Sequence, residues 1–314
     1  MINQQVEYSY IFLSLMLLVA FFGFTTDHFF SLQTLSAIMS QLPALTVVTV
    51  GLTLVLIIGG IDLSVGSLVA LSACVIGTAI VSHNIPMSLA VLLGIFAGGI
   101  SGFSSGWLIA RFSLPAFIVT LGMLEVARGV AYLSSGSQTV YVGYDIQKLA
   151  LPIAGIGISL SMMIALFVVA TGHFVLTRTI FGRYIIAIGS SESAARISGI
   201  QVRPYTIGVL TLSGALAGLG GLFNLAYIGS ADPNTGIGLE LSAIAAAVIG
   251  GTSLMGGRGS IIGAFIGVLI IAVLQNGLAQ LGLSEPSKRI ITGSVIIFAV
   301  LSDRWRRRFN GTYT

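Results

Sequence analysis

The chain has 314 residues and a net charge of +4, with 8% charged and 55% hydrophobic residues and a mean hydropathy of +1.03. A soluble domain carries roughly 25% charged residues, and no core of this length hides so much apolar surface from water, so lipid must solvate much of it. The single cysteine, Cys74, excludes a disulfide framework and Cys-rich metal sites, and basic residues lying beside apolar segments give no support to a nucleic-acid partner.

A helix crosses the hydrocarbon with about 20 apolar residues. The sequence predicts spans near 8–24, 43–59, 64–82, 87–110, 115–134, 156–177, 205–228, 239–250, 260–281 and 288–302. The expected fold is an all-α integral membrane protein of about ten helices, forming one domain over 1–314 with no soluble appendage. The first apolar run, Tyr10–Phe24, is preceded by Glu7 and by no Lys or Arg. It therefore reads as a retained span rather than a secretory signal. The eighth is short and glycine-rich at both ends, as a half-helix or a re-entrant segment would be.

Charge sets the expected orientation. With a cytoplasmic N-terminus, the inner side holds Arg111, Arg178, Arg183, Arg196, Arg203, Arg258, Arg304, Arg306, Arg307 and Arg308, and the outer side only Lys148, Lys288 and Arg289. Both termini are then cytoplasmic, and Trp305 beside the last arginines reads as an interfacial anchor. Two connections are long. The outer one is Ser134–Gly155; the inner one, Thr177–Pro204, is expected to be the one long polar loop on that side.

Several chemistries find no residues to perform them. The only lysines, Lys148 and Lys288, are not preceded by Gly, so no P-loop can form. His28, His83 and His173 lack metal-ligand spacing, and no nucleophile–base pair is visible.

Four stretches carry chemical interest. The run Gly59-Gly60-Ile61-Asp62-Leu63-Ser64-Val65-Gly66-Ser67 breaks the second span and opens a new helix, with Asp62 or Ser64 as its N-cap. Irregular backbone at such depth must be covered by protein or line a water-filled cavity. The break reads either as a gate in the pathway near the cytoplasmic face or as a capped inner turn, and the two are compatible. It echoes Gly250-Gly251-Thr252-Ser253-Leu254-Met255-Gly256-Gly257, either as the trace of an internal repeat or by chance.

The stretch Leu239–Gly251 is rich in small residues, which permit close helix approach and suit a dimer or a moving interface. Its acid, Glu240, gains from a helix N-terminus or is hydrated at the headgroups. Glu125 and Arg128 are the deepest ionisable residues, spaced to pair on one helical face. They would line a polar pathway, form a structural ion pair, or couple protons. In the inner loop, Ser190 or Ser191 can cap a short helix, Glu192 favours its first turn and Gly199 can end it. Such a helix, carrying Ala194, Ala195 and Ile197, is too short to stand alone in water. It either docks in a groove of a partner or packs on its own spans.

The Gly59–Ser67 run, the loop from Phe181-Gly182-Arg183-Tyr184 through Ala194-Ala195-Arg196-Ile197-Ser198-Gly199-Ile200, and Glu240-Leu241 through Gly250-Gly251-Thr252-Ser253-Leu254 together resemble the permeases of ribose-type bacterial ATP-binding-cassette (ABC) importers. Leu114-Pro115-Ala116-Phe117-Ile118-Val119-Thr120-Leu121-Gly122 adds to a likeness that runs over nearly the whole chain. Branched-chain amino acid permeases share the loop but usually lack Gly-Gly-Ile-Asp-Leu-Ser.

The resemblance implies a type II importer bundle of about ten spans in the bacterial inner membrane, and a transport subunit rather than an enzyme. It implies a second permease, identical or related, a periplasmic sugar-binding protein above, and cytoplasmic ATPase subunits below. No cofactor would sit in this chain, ATP and Mg belonging to the ATPase. The loop at about 178–204 would be the coupling element and Ser191–Gly199 the coupling helix, with Arg183, Ser191, Glu192, Ala194, Ala195, Arg196, Ser198 and Gly199 engaging the ATPase. Gly59, Gly60, Asp62, Ser64, Glu125, Arg128, Glu240, Gly250 and Gly251 are the candidates for pathway or gate. The cargo would be a pentose or hexose. The alternatives are a secondary transporter of a small polar solute using the Glu125/Arg128 pair, and a channel or membrane enzyme.

Overall fold

The computed structural model describes residues 2–26, 28–153, 157–295 and 297. The helices in chain order are α1 (Ile2–Thr25), α2 (Leu32–Ile57), α3 (Val65–Val81), α4 (Met87–Phe112), α5 (Ala116–Ser135), α6 (Tyr144–Gln147), α7 (Leu160–Arg178), α8 (Ile180–Ser190), α9 (Glu192–Ile197), α10 (Val202–Ile228), α11 (Leu239–Ile249) and α12 (Ile261–Gln280). Two short strands, β1 (Val140–Tyr141) and β2 (Ser230–Ala231), pair antiparallel. Residues 285–295 are also helical, while 298–302 of the expected last span, with Trp305 and the C-terminal arginines, lie outside the described residues. Among the described residues, six helices, α2, α4, α5, α7, α10 and α12, are long and apolar enough to cross a membrane.

Helix α2 is the hub. Ser31 opens it by accepting the Thr34 amide at 3.2 Å, and it packs on α7, α10, α11 and α12. Every residue from Thr46 to Ile57 is buried, as expected for a helix apolar on all sides. It starts well before the predicted residue 43, because it runs through Pro43. An internal proline forfeits one backbone hydrogen bond, a loss that this dense packing offsets. By contrast, 17% of the apolar window of α5 and 22% of that of α4 is buried, so these two helices form the periphery.

The tightest pair is α4 on α10. Gly98, Gly102 and Gly106 recur every fourth residue, and a Cβ on Gly98 or Gly102 would strike the carbonyl oxygen of Gly214 or Leu210. The backbones touch because no side chain intervenes. Gly102→Leu should therefore destabilise the bundle by about 1–3 kcal/mol or more through overpacking, read as a lower melting temperature in detergent. Gly122→Leu is the control, since a Cβ there meets nothing within 4 Å.

One expectation is corrected. Thr177–Pro204 is not one polar loop: Thr179 caps α8 by accepting the Gly182 amide at 3.3 Å, and Gly182, Ile185 and Ile188 form a buried stripe. That helical periodicity was present in the sequence. The small face of α11 packs closely within its own chain. Ala243, Ala245, Ala246 and Ala247 are buried within the chain, and Gly250 and Ala246 abut Gly263 and Gly267 of α12. At eleven residues, α11 is a half-helix of roughly 16 Å, about half the hydrocarbon thickness. The preceding segment, 229–238, dips back into the bundle, since Gly236 and Glu240 touch Gly66 in the first turn of α3.

Candidate functional site

At one end of the bundle, α9 stands exposed. Ser191 caps it by accepting the Ala194 amide at 3.3 Å, and Arg196 pairs with Glu192 across one turn at 2.6 Å. Its end is a Schellman closure: the Gly199 amide donates to Arg196, the Ile200 amide to Ala195, and Gly199 takes φ +83°. Ala194, Arg196, Ile197 and Ser198 face outward, Ile197 at 89% exposure, and Arg183 is exposed on α8. Ala195 does not join that face. It is 4% exposed and packs with Ile188 and Val202, bolting α9 to its own chain.

Directly behind lies the break between α2 and α3. The Gly59 amide donates to Leu56 (3.0 Å) and the Gly60 amide to Val55 (2.9 Å), with Gly59 at φ +90°, a second Schellman closure. The end of α11 repeats it, Gly251 (φ +88°) donating to Val248 and Thr252 to Ala247, both at 2.9 Å. The glycine echo in the sequence is thus a shared way of stopping a helix, with Gly59 equivalent to Gly251.

The two stops meet each other and α8. The Gly257 amide donates to the Ile57 carbonyl at 2.8 Å. A Cβ on Gly189 would fall on that same carbonyl and 2.6 Å from the Gly257 nitrogen, and one on Gly256 would lie 3.0 Å from Gly59 Cα. Three distant segments therefore touch backbone to backbone at one junction.

Asp62 is 1% exposed. One carboxylate oxygen accepts the Ser64 amide (3.0 Å) and hydroxyl (2.6 Å), the other the Ser213 hydroxyl on α10 (3.0 Å). Ser64 occupies the N-cap position of α3 but donates its hydroxyl to Asp62 instead of accepting a helix amide. Neither residue is the side-chain cap expected. Asp62 closes the turn and ties it to α10. Thr120 of α5 completes the coverage, donating to the Ile61 carbonyl and accepting the Leu63 amide (3.0 and 3.2 Å). Protein covers the inner side of the break, where Asp62 and Ser64 are buried, while Gly59 stays exposed.

The expected Glu125–Arg128 pair does not form. Glu125 is exposed on α5 and makes no hydrogen bond or ion pair among the described residues, whereas Arg128 donates to the carbonyls of Pro233 and Thr235 (2.5 and 2.8 Å). Helical spacing allowed the pair, but the re-entrant segment offers Arg128 two carbonyls instead. Glu240 folds back to accept the Gly238 amide at 3.1 Å. Asp232 holds the same segment, taking the Asn234 amide (2.7 Å) and the Thr139 hydroxyl (2.9 Å). Among the described residues no cluster of His, Cys, Asp and Glu could hold a metal ion.

Ser213 was not singled out from the sequence, and Gly189, Gly256 and Thr120 entered only as members of longer motifs, with no role of their own. Each matters through a residue far along the chain, and no local pattern marks it.

These features define a class: a multi-pass helical membrane protein whose broken helices converge behind an exposed, capped helix, the build of a solute permease. Residues 34–300 match the family described as branched-chain amino acid transport system / permease component, and the chain belongs to that family. It is 38% identical over 295 residues to the ribose import permease protein of Escherichia coli (strain K12), covering 93% of this chain and 92% of the relative. The fructose import permease protein of Rhizobium meliloti is 35% identical over 300 residues, covering 93% and 83%. The L-arabinose ABC transporter permease protein of Azospirillum brasilense is 32% identical over 308 residues, covering 97% and 89%. The likeness to ribose-type permeases expected from the motifs is thus found along nearly the full length. No solved structure matches the chain.

Proposed function

We propose that this chain is the membrane-spanning permease of an ABC importer, carrying a small sugar that a periplasmic binding protein delivers. The observation that carries this reading is the full-length similarity to permeases named for ribose, fructose and L-arabinose. In this reading α9 faces the cytoplasm, as the excess of arginine on that side favours, and both termini are cytoplasmic. A second permease, identical or related, completes the pathway. The ATPase subunits bind ATP and Mg, this chain holding no cofactor of its own.

The geometry suits a mechanical relay. Ile197 and Ala194 present an apolar tip for a groove in the ATPase. Ala195 fastens α9 to α8 and the start of α10, and Gly189 seats α8 against Ile57 and Gly257. A displacement of α9 is thereby passed to the break at 58–64 and to the end of α11 through close-packed backbone, which yields little to pressure.

The direct test is purification from mildly solubilised native membranes, with mass spectrometry of what accompanies the chain. An ATPase with a P-loop, joined by a periplasmic binding protein, is the expected result; a chain that repeatedly comes alone overturns the reading. Within that complex, Arg196→Glu replaces the ion pair by two like charges one turn apart on an exposed face. Basal ATP hydrolysis should persist while uptake falls about tenfold, equivalent to about 1.4 kcal/mol of lost coupling. Ala194→Asp should do the same, and normal uptake in both variants would remove α9 from the relay.

A further inference from the structure

We propose that the permease itself contains a carbohydrate site, in the cavity enclosed by α2, α10, α11 and α12. This rests on the importer reading and adds to it a place where the sugar pauses within the membrane.

Two contiguous lobes, of about 240 and about 570 Å³, share Gln41, Asn224, Leu239, Ser242 and Gln275 in their walls. The cavity lies at the first turn of the half-helix α11, against the re-entrant segment 229–238. Transporters commonly hold cargo at such interruptions, where irregular backbone is permitted because it lines a cavity.

The smaller lobe and the wall it shares with the larger one have the chemistry of a neutral polyol site. Gln41, Asn224 and Gln275 are amides that both donate and accept, as vicinal hydroxyls do, and Ser242 adds a hydroxyl. The rings of Phe223 and Tyr227 border the smaller lobe, giving apolar surface for the C–H face of a sugar. Among the described residues no charged side chain lines this lobe, so an amino acid zwitterion would find no ionic partner among them. The larger lobe is also lined by Glu285 and Lys288, which pair with each other, and by Arg289.

Two of these amides are left open. The Asn224 side-chain oxygen is buried with no hydrogen-bond partner, and Gln275 makes no hydrogen bond among the described residues. Buried polar atoms are ordinarily satisfied, so an unpaired amide oxygen on a residue that borders a sugar-sized space points to a ligand. Gln41 is engaged only through its donor, at 2.9 Å to the Tyr227 hydroxyl.

The test uses the permease–ATPase complex in nanodiscs, with Cys74→Ala as background and Ser242→Cys or Gln275→Cys as the lone thiol. The rate of labelling by a water-soluble maleimide is followed with millimolar D-ribose, D-fructose, D-allose, L-arabinose or L-leucine. At least one sugar should slow labelling at both positions, L-leucine should not, and adding Asn224→Leu should raise the protecting sugar concentration about tenfold. A purely structural role for Asn224 would leave that concentration unmoved. Labelling that no sugar affects, or no labelling at either position, overturns the site if the same variants still take up sugar with their binding protein. In that case the importer reading survives. Protection by L-leucine alone, with leucine uptake, overturns both.

Discussion

Gly189→Val is expected to stop transport while leaving the protein inserted in the membrane. A side chain at 189 has nowhere to go: its first carbon falls on the Ile57 carbonyl and 2.6 Å from the Gly257 nitrogen. Both neighbours are backbone, so no rotamer change relieves the contact. Either the 2.8 Å bond from Gly257 to Ile57 opens or α8 lifts from its seat. Overpacking of this kind costs about 1–3 kcal/mol, and a loss of that size, spent on the contact between α8 and the break, should reduce uptake about 5- to 150-fold. Gly189→Ala should fall between Val and the native chain, and Ser190→Ala, which loses only an exposed bond to the Ile186 carbonyl, should be near normal. Uptake and basal ATP hydrolysis measured side by side decide the matter. Full uptake by Gly189→Val would show that the junction does not connect α9 to the break.

The second large effect belongs to Asp62. Leucine is larger than aspartate and accepts nothing, leaving the Ser64 amide and the Ser213 hydroxyl buried without their acceptor. Each orphaned buried group costs about 1–3 kcal/mol, and Asp62, Ser64 and Ser213 are all buried. Asp62→Leu should therefore reduce folded protein and uptake together. Asp62→Asn keeps one carbonyl oxygen for Ser64, and its amide can donate to a Ser213 hydroxyl that rotates to accept. It should retain most function. The measurement is uptake per folded molecule, with folded protein scored by size-exclusion profile. Equal loss in both variants would assign the role to the negative charge rather than to the hydrogen bonds.

Much of the fold was legible because membrane insertion writes itself into composition. Apolar runs of spanning length placed α4, α5 and α12 within a few residues of their ends. The helix stops were legible too: Gly59, Gly199 and Gly251 each sit at a left-handed position that favours glycine. Ser191, Glu192 and Gly199 marked α9 for the same local reasons. Where reading went astray, competition was not local. Pro43 looked like a helix start until packing on four neighbours carried α2 through it. Glu125 and Arg128 had the spacing of a pair, but the carbonyls of Pro233 and Thr235, more than a hundred residues on, took the arginine.

By itself the sequence determined a lipid-solvated helical bundle, the places where helices break, and the exposed capped helix α9, since each depends on hydropathy and on backbone preferences within a few residues. Only the tertiary structure decided that Gly59, Gly189 and Gly256 share one junction, that Asp62 ties α3 to α10, and that Asn224 and Gln275 border one cavity. Those relations join residues far apart along the chain, and they depend on which helix faces meet, which close packing selects for the bundle as a whole.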